Sequence, residues 1–334
     1  MSIEFERSVQ TATFHSPLAD FESVDVGVEV REDPLTGRRA RIVNESFLLE
    51  EEPDIESVVT DDEGCFFCPG SVEEVTPTYE DWVGMDRGHV GEATSFPNLN
   101  PYGAYSNVVV LTEDHYKPLD ALERDDFRDG LAAALEYLNR VVDHVDEAQY
   151  ASVNMNFLRS AGSSIIHPHL QTLVDDLGTN RQRALADAAR DYYTEYGTRY
   201  WDDLRDVEAD GERWLGSTGS VDWLAAFAPT HHRQVLGVAD TGGVPGPDDD
   251  VVADLAEGLV HVLGHYADAG LNAFNFAWYL AEDEPGMRPV LEVVARSVFD
   301  EYYWSDSPFF TVLHDEGVVD VPPEDVAAAA GERF

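Results

Sequence analysis

An α+β fold built from antiparallel sheets in two similar halves is what this 334-residue sequence predicts, on three observations. Long helices with a 3.6-residue apolar period alternate with short strand-like runs. A strand–helix–strand–strand series occurs twice, and two asparagines, in "MNF" and "FNF", fall at matching places in the copies. A hydrophobic content of 43% with 11% aromatic residues supplies a packed core, enough for one large domain or two ordinary ones.

Taken in order, residues 1–60 read as strands and loops, with a turn in "EDPLTGRRARIV". Residues 61–105, rich in Gly, Pro, Asn and aromatics, read as structured loop around a pair of cysteines. "YSNVVVLTEDH" is a buried strand over about 105–112 leading to a loop that holds His115. "PLDALERDDFRDGLAAALEYLNRVVDHVDE" has the helical period over about 119–146. "YASVNMNFLR" alternates like a strand, "SAGSS" is a small-residue turn, and "IIHPHLQTLV" reads as the next strand. Residues 177–222 are charged, aromatic and read as helical. The plan then returns: "HRQVLGVAD" a strand, "DDDVVADLAEGLVHVLGHYADAG" a helix, "NAFNFAWYL" a strand, and "RPVLEVVAR" where the histidine strand stood. Asn156 and Asn275 precede Pro168 and Pro289 by 12 and 14 residues, and the second copy lacks both histidines.

The charge balance is extreme, 66 acids against 21 basic residues for a net −45, and Lys117 is the one lysine. The acids are spread along the chain, which suits very high salt, where screening removes self-repulsion. Such a surface excludes a long nucleic acid as partner, because phosphate backbones need a basic stripe. Small phosphorylated ligands need only a local pocket. No run approaches eighteen apolar residues and the N-terminus lacks a hydrophobic signal core, so no membrane partner and a cytoplasmic setting are expected.

The only cysteines, Cys65 and Cys68 of "GCFFCPG", form a C-x-x-C pair. Such a pair is a redox couple or half of a metal site, and Pro69 with Gly70 immediately after it suits a metal-binding turn. Zinc takes four ligands from Cys and His, which here means Cys65, Cys68, His115 and one of His167 or His169. The other histidine is then free for chemistry. A neutral imidazole is a nucleophile near pH 7 when its second nitrogen donates a hydrogen bond. Gln171 on the same strand face offers amide donors, and "SAGSS" offers Ser163, Ser164 and the Gly162 N–H to a phosphate. The remaining histidines read differently: His231 and His232 as surface or interface residues, His261 and His265 as core or solvent-facing. The run "DEYYWSDSPFF" reads as core or subunit contact.

"CFFC", then "EDHYKPL", then "NFLRSAGSSIIHPHLQ" together resemble the galactose-1-phosphate uridylyltransferase family of the histidine-triad superfamily. That family has a C-x-x-C pair, a DH-x-K stretch and an asparagine thirteen residues before the nucleophile of an HPH-x-Q motif, a spacing matched by Asn156 and His169. "DPLTGR", "SFPNLNPYG" and "LHDEGVVDVPPEDVAAA" are similar to further family segments, so the resemblance covers about residues 30–334. It implies duplicated histidine-triad-like halves with half-barrel antiparallel sheets and flanking helices. Residues 1–176 would be the catalytic half with the zinc site, and 177–334 a degenerate second half. It further implies His169 as the nucleophile, Gln171 on the phosphoryl oxygens, Ser164 and Asn156 on the phosphates, and Asn98 facing the nucleoside. Gly162, Ser163 and Lys117 complete the expected substrate contacts, and Cys65, Cys68, His115 and His167 would bind zinc. The implied activity is ping-pong transfer of a nucleoside monophosphate between a nucleotide sugar and a hexose 1-phosphate, as in galactose metabolism, by a homodimer. Two stretches depart from the uridylyltransferases: "RIVNESF", after the PLTG strand, has no SPHR-like basic stretch, and "RPVLEVVARS" lacks an H-x-H cluster. "CFFCPGSVEEVTP" resembles instead relatives that include sugar-nucleotide or dinucleotide phosphorylases.

Overall fold

The computed structural model describes residues 3–43, 55–146, 148–282, 284–299 and 306–334. Asp300–Ser305 of the aromatic run "DEYYWSDSPFF" lie outside these, as does most of "RIVNESF".

A four-stranded sheet holds β1 (Arg7–Ser16), β2 (Glu22–Glu32), β3 (Arg39–Ile42) and, parallel to β3, β14 (Gly317–Val319). The short helices α1 (Glu56–Val59) and α2 (Val72–Val75) flank the cysteine turn. The larger sheet has ten strands. Its first half comprises β4 (Gly88–Val90), β5 (Ala93–Pro97), β6 (Asn107–Val110), β7 (Tyr150–Phe157) and β8 (His169–Asp175), with α3 (Arg124–His144) between β6 and β7. Helices α4 (Asn180–Tyr196) and α5 (Tyr200–Glu208) follow. The second half comprises β9 (Trp214–Thr218), β10 (Val221–Ala225), β11 (Val235–Ala239), β12 (Ala273–Ala281) and β13 (Val290–Arg296), with α6 (Asp250–Asp268) between β11 and β12. Near the C-terminus come α7 (Phe309–His314) and α8 (Pro323–Ala330).

The spatial order is β4-β5-β6-β8-β7 joined to β12-β13-β11-β10-β9. Each half is a three-stranded meander, a long helix, and two strands of which the last inserts beside the meander. The duplicated α+β architecture is as the sequence predicts, and the sheet is open. The repeat is larger than the sequence shows, because β4 and β5 lie in a stretch read as loop, and β9 and β10 fall partly in one read as helical. These strands are three to five residues long, too short for alternation to declare itself.

The halves meet where β7 pairs antiparallel with β12, and Asn156 stands directly opposite Asn275. Asn275 in turn faces Val294 on β13, while β7 and β8 run in register to Met155↔Leu170, which brings Asn156 level with His169. The counterpart of His169 is therefore Val294, and Pro168 corresponds to Val293 rather than to Pro289. In the second half the strand pairing continues past the asparagine to Tyr279↔Val290, which displaces a match made on prolines.

One sheet face carries α3 and α6 over Val109, Leu170, Met155, Phe274, Phe276, Leu291 and Val293, all buried. On the other face α4 and α5 cover the second-half strands through Leu185, Ala189, Trp201 and Leu204 against Leu224, Val238, Tyr279 and Val290. Among the described residues no helix is long and apolar enough to cross a membrane.

Candidate active site and metal centre

Directly opposed residues of an antiparallel pair share a face. Val110↔His169, Val108↔Gln171, Asn154↔Gln171 and Asn156↔Asn275 are such pairs. His169, Gln171, Asn154, Asn156 and Asn275 consequently line the sheet face opposite α3 and α6. Asn98, just past the end of β5, donates its backbone N–H to the Ser106 carbonyl, which sets it on this face one row beyond Gln171.

His169 opens β8, and its Nδ1–H donates to the His167 carbonyl at 2.9 Å. That bond leaves Nε2 with the lone pair. Burial lowers the His169 pKa, so the ring is neutral at pH 7 and available as a nucleophile. Phe67 packs edge-on against it, centroids 5.2 Å apart, within a small apolar cluster that includes Phe96, Val108 and Val110. Gln171 is half-buried, and among the described residues its amide makes no side-chain hydrogen bond.

His167 is not part of the strand, contrary to the sequence reading. It sits in a bend, and pairing starts only after Pro168, which has no N–H to give the ladder but offers its carbonyl to Leu111 N. The bend turns His167 toward the cysteines. Its Nε2–H donates to the Thr112 carbonyl at 2.7 Å, so Nδ1 carries the lone pair. That Nδ1 lies 3.8 Å from Cys65 Sγ and 3.6 Å from Cys68 Sγ, and His115 Nδ1 lies 3.4 Å from Cys68 Sγ. All four donor atoms fall within 4.8 Å of one another. Tetrahedral zinc with Zn–S and Zn–N bonds of ordinary length sets its ligands about 3.3–3.8 Å apart, so the residues fit that ion. Burial drives His167 down to about 4, with His115 and His169 adding to the fall, which keeps the ring neutral as a ligand must be. Burial and the neighbouring Cys65 push the Cys68 thiol up to about 12, a cost that a bound dication removes.

The turn after β7 is tighter than a phosphate cradle built on Gly162 and Ser163 requires. The Gly162 N–H already donates to the Arg159 carbonyl, and the Ser163 N–H to Leu158. Ser163 is buried and its hydroxyl donates to the Ile165 carbonyl at 2.6 Å. Both therefore close the turn, and Gly162 serves by adopting φ +91°, with nothing within 4 Å of where a Cβ would stand. Ser164 remains exposed beside the site.

Lys117 is engaged within the protein. Its Nζ donates to both carboxylate oxygens of Asp126, at 2.7 and 2.9 Å, and Asp126 accepts the Glu123 N–H in the capping box of α3. The lysine thus ties the His115 loop to the start of α3. His231 and His232 are buried or nearly so and face Asp306 and Asp320, respectively, so neither is a surface residue. His265 is core, as expected.

Three residues escaped sequence reasoning. Asn154 donates to Ser152 Oγ and to the Gln171 carbonyl. Asn275 was visible as the echo of Asn156, but not as its partner. Arg296 gave no signal, and β12–β13 register places it opposite Ala273.

No family model matches the chain. A protein of Archaeoglobus fulgidus described as uncharacterized is 33% identical over 327 residues, 97% of each chain. Among solved structures, an ADP-glucose phosphorylase from Arabidopsis thaliana with bound ADP-glucose superposes with a TM-score of 0.69 at 19% identity, over 91% of this chain and 99% of that one. A uridylyltransferase superposes with a TM-score of 0.66 at 20% identity, over 91% and 97%. A further Arabidopsis thaliana protein, described as galactose-1-phosphate uridylyltransferase-like, also scores 0.69, at 19% identity. These likenesses fix the fold as the one the resemblance implies.

Proposed function

This chain belongs to one family with the Archaeoglobus fulgidus protein and has the uridylyltransferase fold, and on that footing we propose that it is a nucleotidyltransferase. It moves a nucleoside monophosphate between a nucleotide sugar and a hexose 1-phosphate. The observation that carries this reading is His169: a neutral imidazole whose Nδ1–H is engaged, whose Nε2 is free, and whose face it shares with Gln171 and Asn156. In the first step Nε2 attacks the α-phosphorus of the nucleotide sugar. A P–N bond forms, the bond to the bridging oxygen breaks, and the sugar leaves as its 1-phosphate. In the second step a phosphate oxygen of the incoming hexose 1-phosphate attacks the same phosphorus and restores His169. Gln171, Asn156 and Ser164 supply donors to the non-bridging and flanking oxygens, and Asn98 faces the nucleoside.

Cys65, Cys68, His115 and His167 would hold zinc, which when bound fastens the cysteine turn, the His115 loop and the His167 bend together. The catalytic half is then 1–176, and 177–334 is a degenerate half that completes the sheet. The net charge of −45 fits a halophilic cytoplasmic enzyme, and galactose 1-phosphate with a homodimeric assembly completes the proposal.

A phosphorylase or hydrolase that hands the same intermediate to phosphate or water is the second reading, favoured by the "CFFCPGSVEEVTP" turn and by the lack of an SPHR-like stretch in "RIVNESF". Incubation with UDP-glucose or ADP-glucose in molar KCl, followed by peptide mapping, tests the core of both. Label on His169 is expected, and an unlabelled His169 would sink the mechanism. Competition between phosphate and galactose 1-phosphate for the labelled enzyme separates the two.

A further inference from the structure

Arg296 lies on β13, in the half that lacks the two histidines of the HPH motif, and a guanidinium has donors only. Its Nη1 donates to Asn275 Oδ1 at 2.5 Å. The Asn275 amide is thereby oriented, oxygen toward the arginine and nitrogen away from it. Its Nδ2 donates to Asn156 Oδ1 at 2.6 Å and to the Ala161 carbonyl, in the turn beyond β7, at 2.8 Å. Asn156 in turn has its oxygen occupied, and its Nδ2 meets no acceptor among the described residues. Arg296 is itself clamped by Asp306, through Nε at 2.9 Å and Nη2 at 2.7 Å, and Asp306 also accepts the Ser297 N–H at 2.7 Å.

We propose that Arg296 and Asn275 are positioning residues that set the polarity of Asn156, so that its amide presents an N–H to the phosphoryl group transferred to His169. This rests on the nucleotidyl-transfer reading above. Each amide in the chain has two orientations of nearly equal shape, but only one is compatible with a donor-only residue at its root. A reversed Asn156 would set a carbonyl oxygen against a phosphoryl oxygen. The half without a nucleophile, with Val294 where the first half has His169, thus serves the half that has one.

Binding of AMP and UMP, with adenosine and uridine as phosphate-free controls, tests this by calorimetry in molar KCl. Molar salt, with a Debye length of about 3 Å, reduces charge effects between solvent-exposed groups. Asn275→Asp keeps the shape and accepts from Arg296, but cannot donate to Asn156. It is expected to weaken the monophosphates roughly ten- to hundred-fold, the scale of a lost bond to a charged group. Asn275→Ala, which merely releases Asn156, should weaken them less, and neither variant should alter nucleoside binding by more than about two-fold. Arg296→Lys, still donor-only, should rescue most of what Arg296→Met loses. A merely structural role reverses the order, with alanine worse than the near-isosteric aspartate, and reduces nucleoside binding in parallel. Either that pattern or variants equal to wild type would overturn the relay alone. Absence of nucleotide binding by the wild-type protein would overturn the nucleotidyl-transfer reading as well.

Discussion

Replacing Cys68 with serine should impair catalysis through two residue contacts, Cys68 to His167 and His167 to His169. Cys68 Sγ lies 3.4 Å from His115 Nδ1 and 3.6 Å from His167 Nδ1, so the substitution removes the donor common to both histidines. Zinc binding supplies on the order of 10–16 kcal/mol in small peptides that have no other core. Here α3, α6 and the sheet form a continuous apolar core without the metal, so the loss stays local to the cysteine turn and the His167 bend. What the bend holds is the His169 tautomer of the proposed mechanism, because the His167 carbonyl receives the His169 Nδ1–H at 2.9 Å. A neutral hydrogen bond of this kind contributes about 1 kcal/mol, so freeing the bend lowers kcat by at least about five-fold. KM for the nucleotide sugar should move less than about two-fold, because Gln171 and Asn156 sit on strands held by the sheet. Metal content by atomic emission, with kcat and KM for wild type, variant and chelator-treated wild type, checks each link. Zinc-free protein with an unchanged kcat would refute the coupling between the metal centre and His169.

Lys117→Met should leave Asp126 buried without its cation and cost about 2–3 kcal/mol in thermal or denaturant unfolding, with nucleotide KM nearly unchanged. A tenfold rise in KM would return Lys117 to the substrate. Burial pulls the Lys117 pKa down, but the Asp126 hydrogen bond and charge more than offset it and leave it raised. This contribution is therefore full at neutral pH and lost only as pH rises through that raised value. Glu324 on α8 accepts both Arg31 Nη atoms, at 2.9 and 2.8 Å, and Arg213 Nη1 at 3.1 Å. Burial alone would raise its pKa; the arginines override this and bring it from 4.5 to about 2. After discounting for solvent screening the pairing contributes about 1–2 kcal/mol above pH 4.5, lost as pH falls toward 2. The stability gap between wild type and Glu324→Gln should narrow across that window, and a constant gap would remove Glu324 as its source.

The parts of this protein legible in sequence are those encoded within a few residues. The helical period of α3 and α6, the C-x-x-C turn, the HPH-x-Q motif and the thirteen-residue step from Asn156 to His169 are local facts, and the α+β duplication and the four residues of the candidate metal site follow from them. Even the pairing of Asn156 with Asn275 left a trace as a repeated motif. Tertiary structure decided which partner each polar side chain takes. Lys117 found Asp126 and Arg296 found Asn275, and in each case a group that sequence leaves open acquired a use. A donor is satisfied by whichever acceptor strand register and loop closure bring within 3 Å. For Arg296 and Asn275 that register joins strands on either side of a loop, and joins them to a strand over a hundred residues away, a distance at which no local pattern specifies what stands opposite.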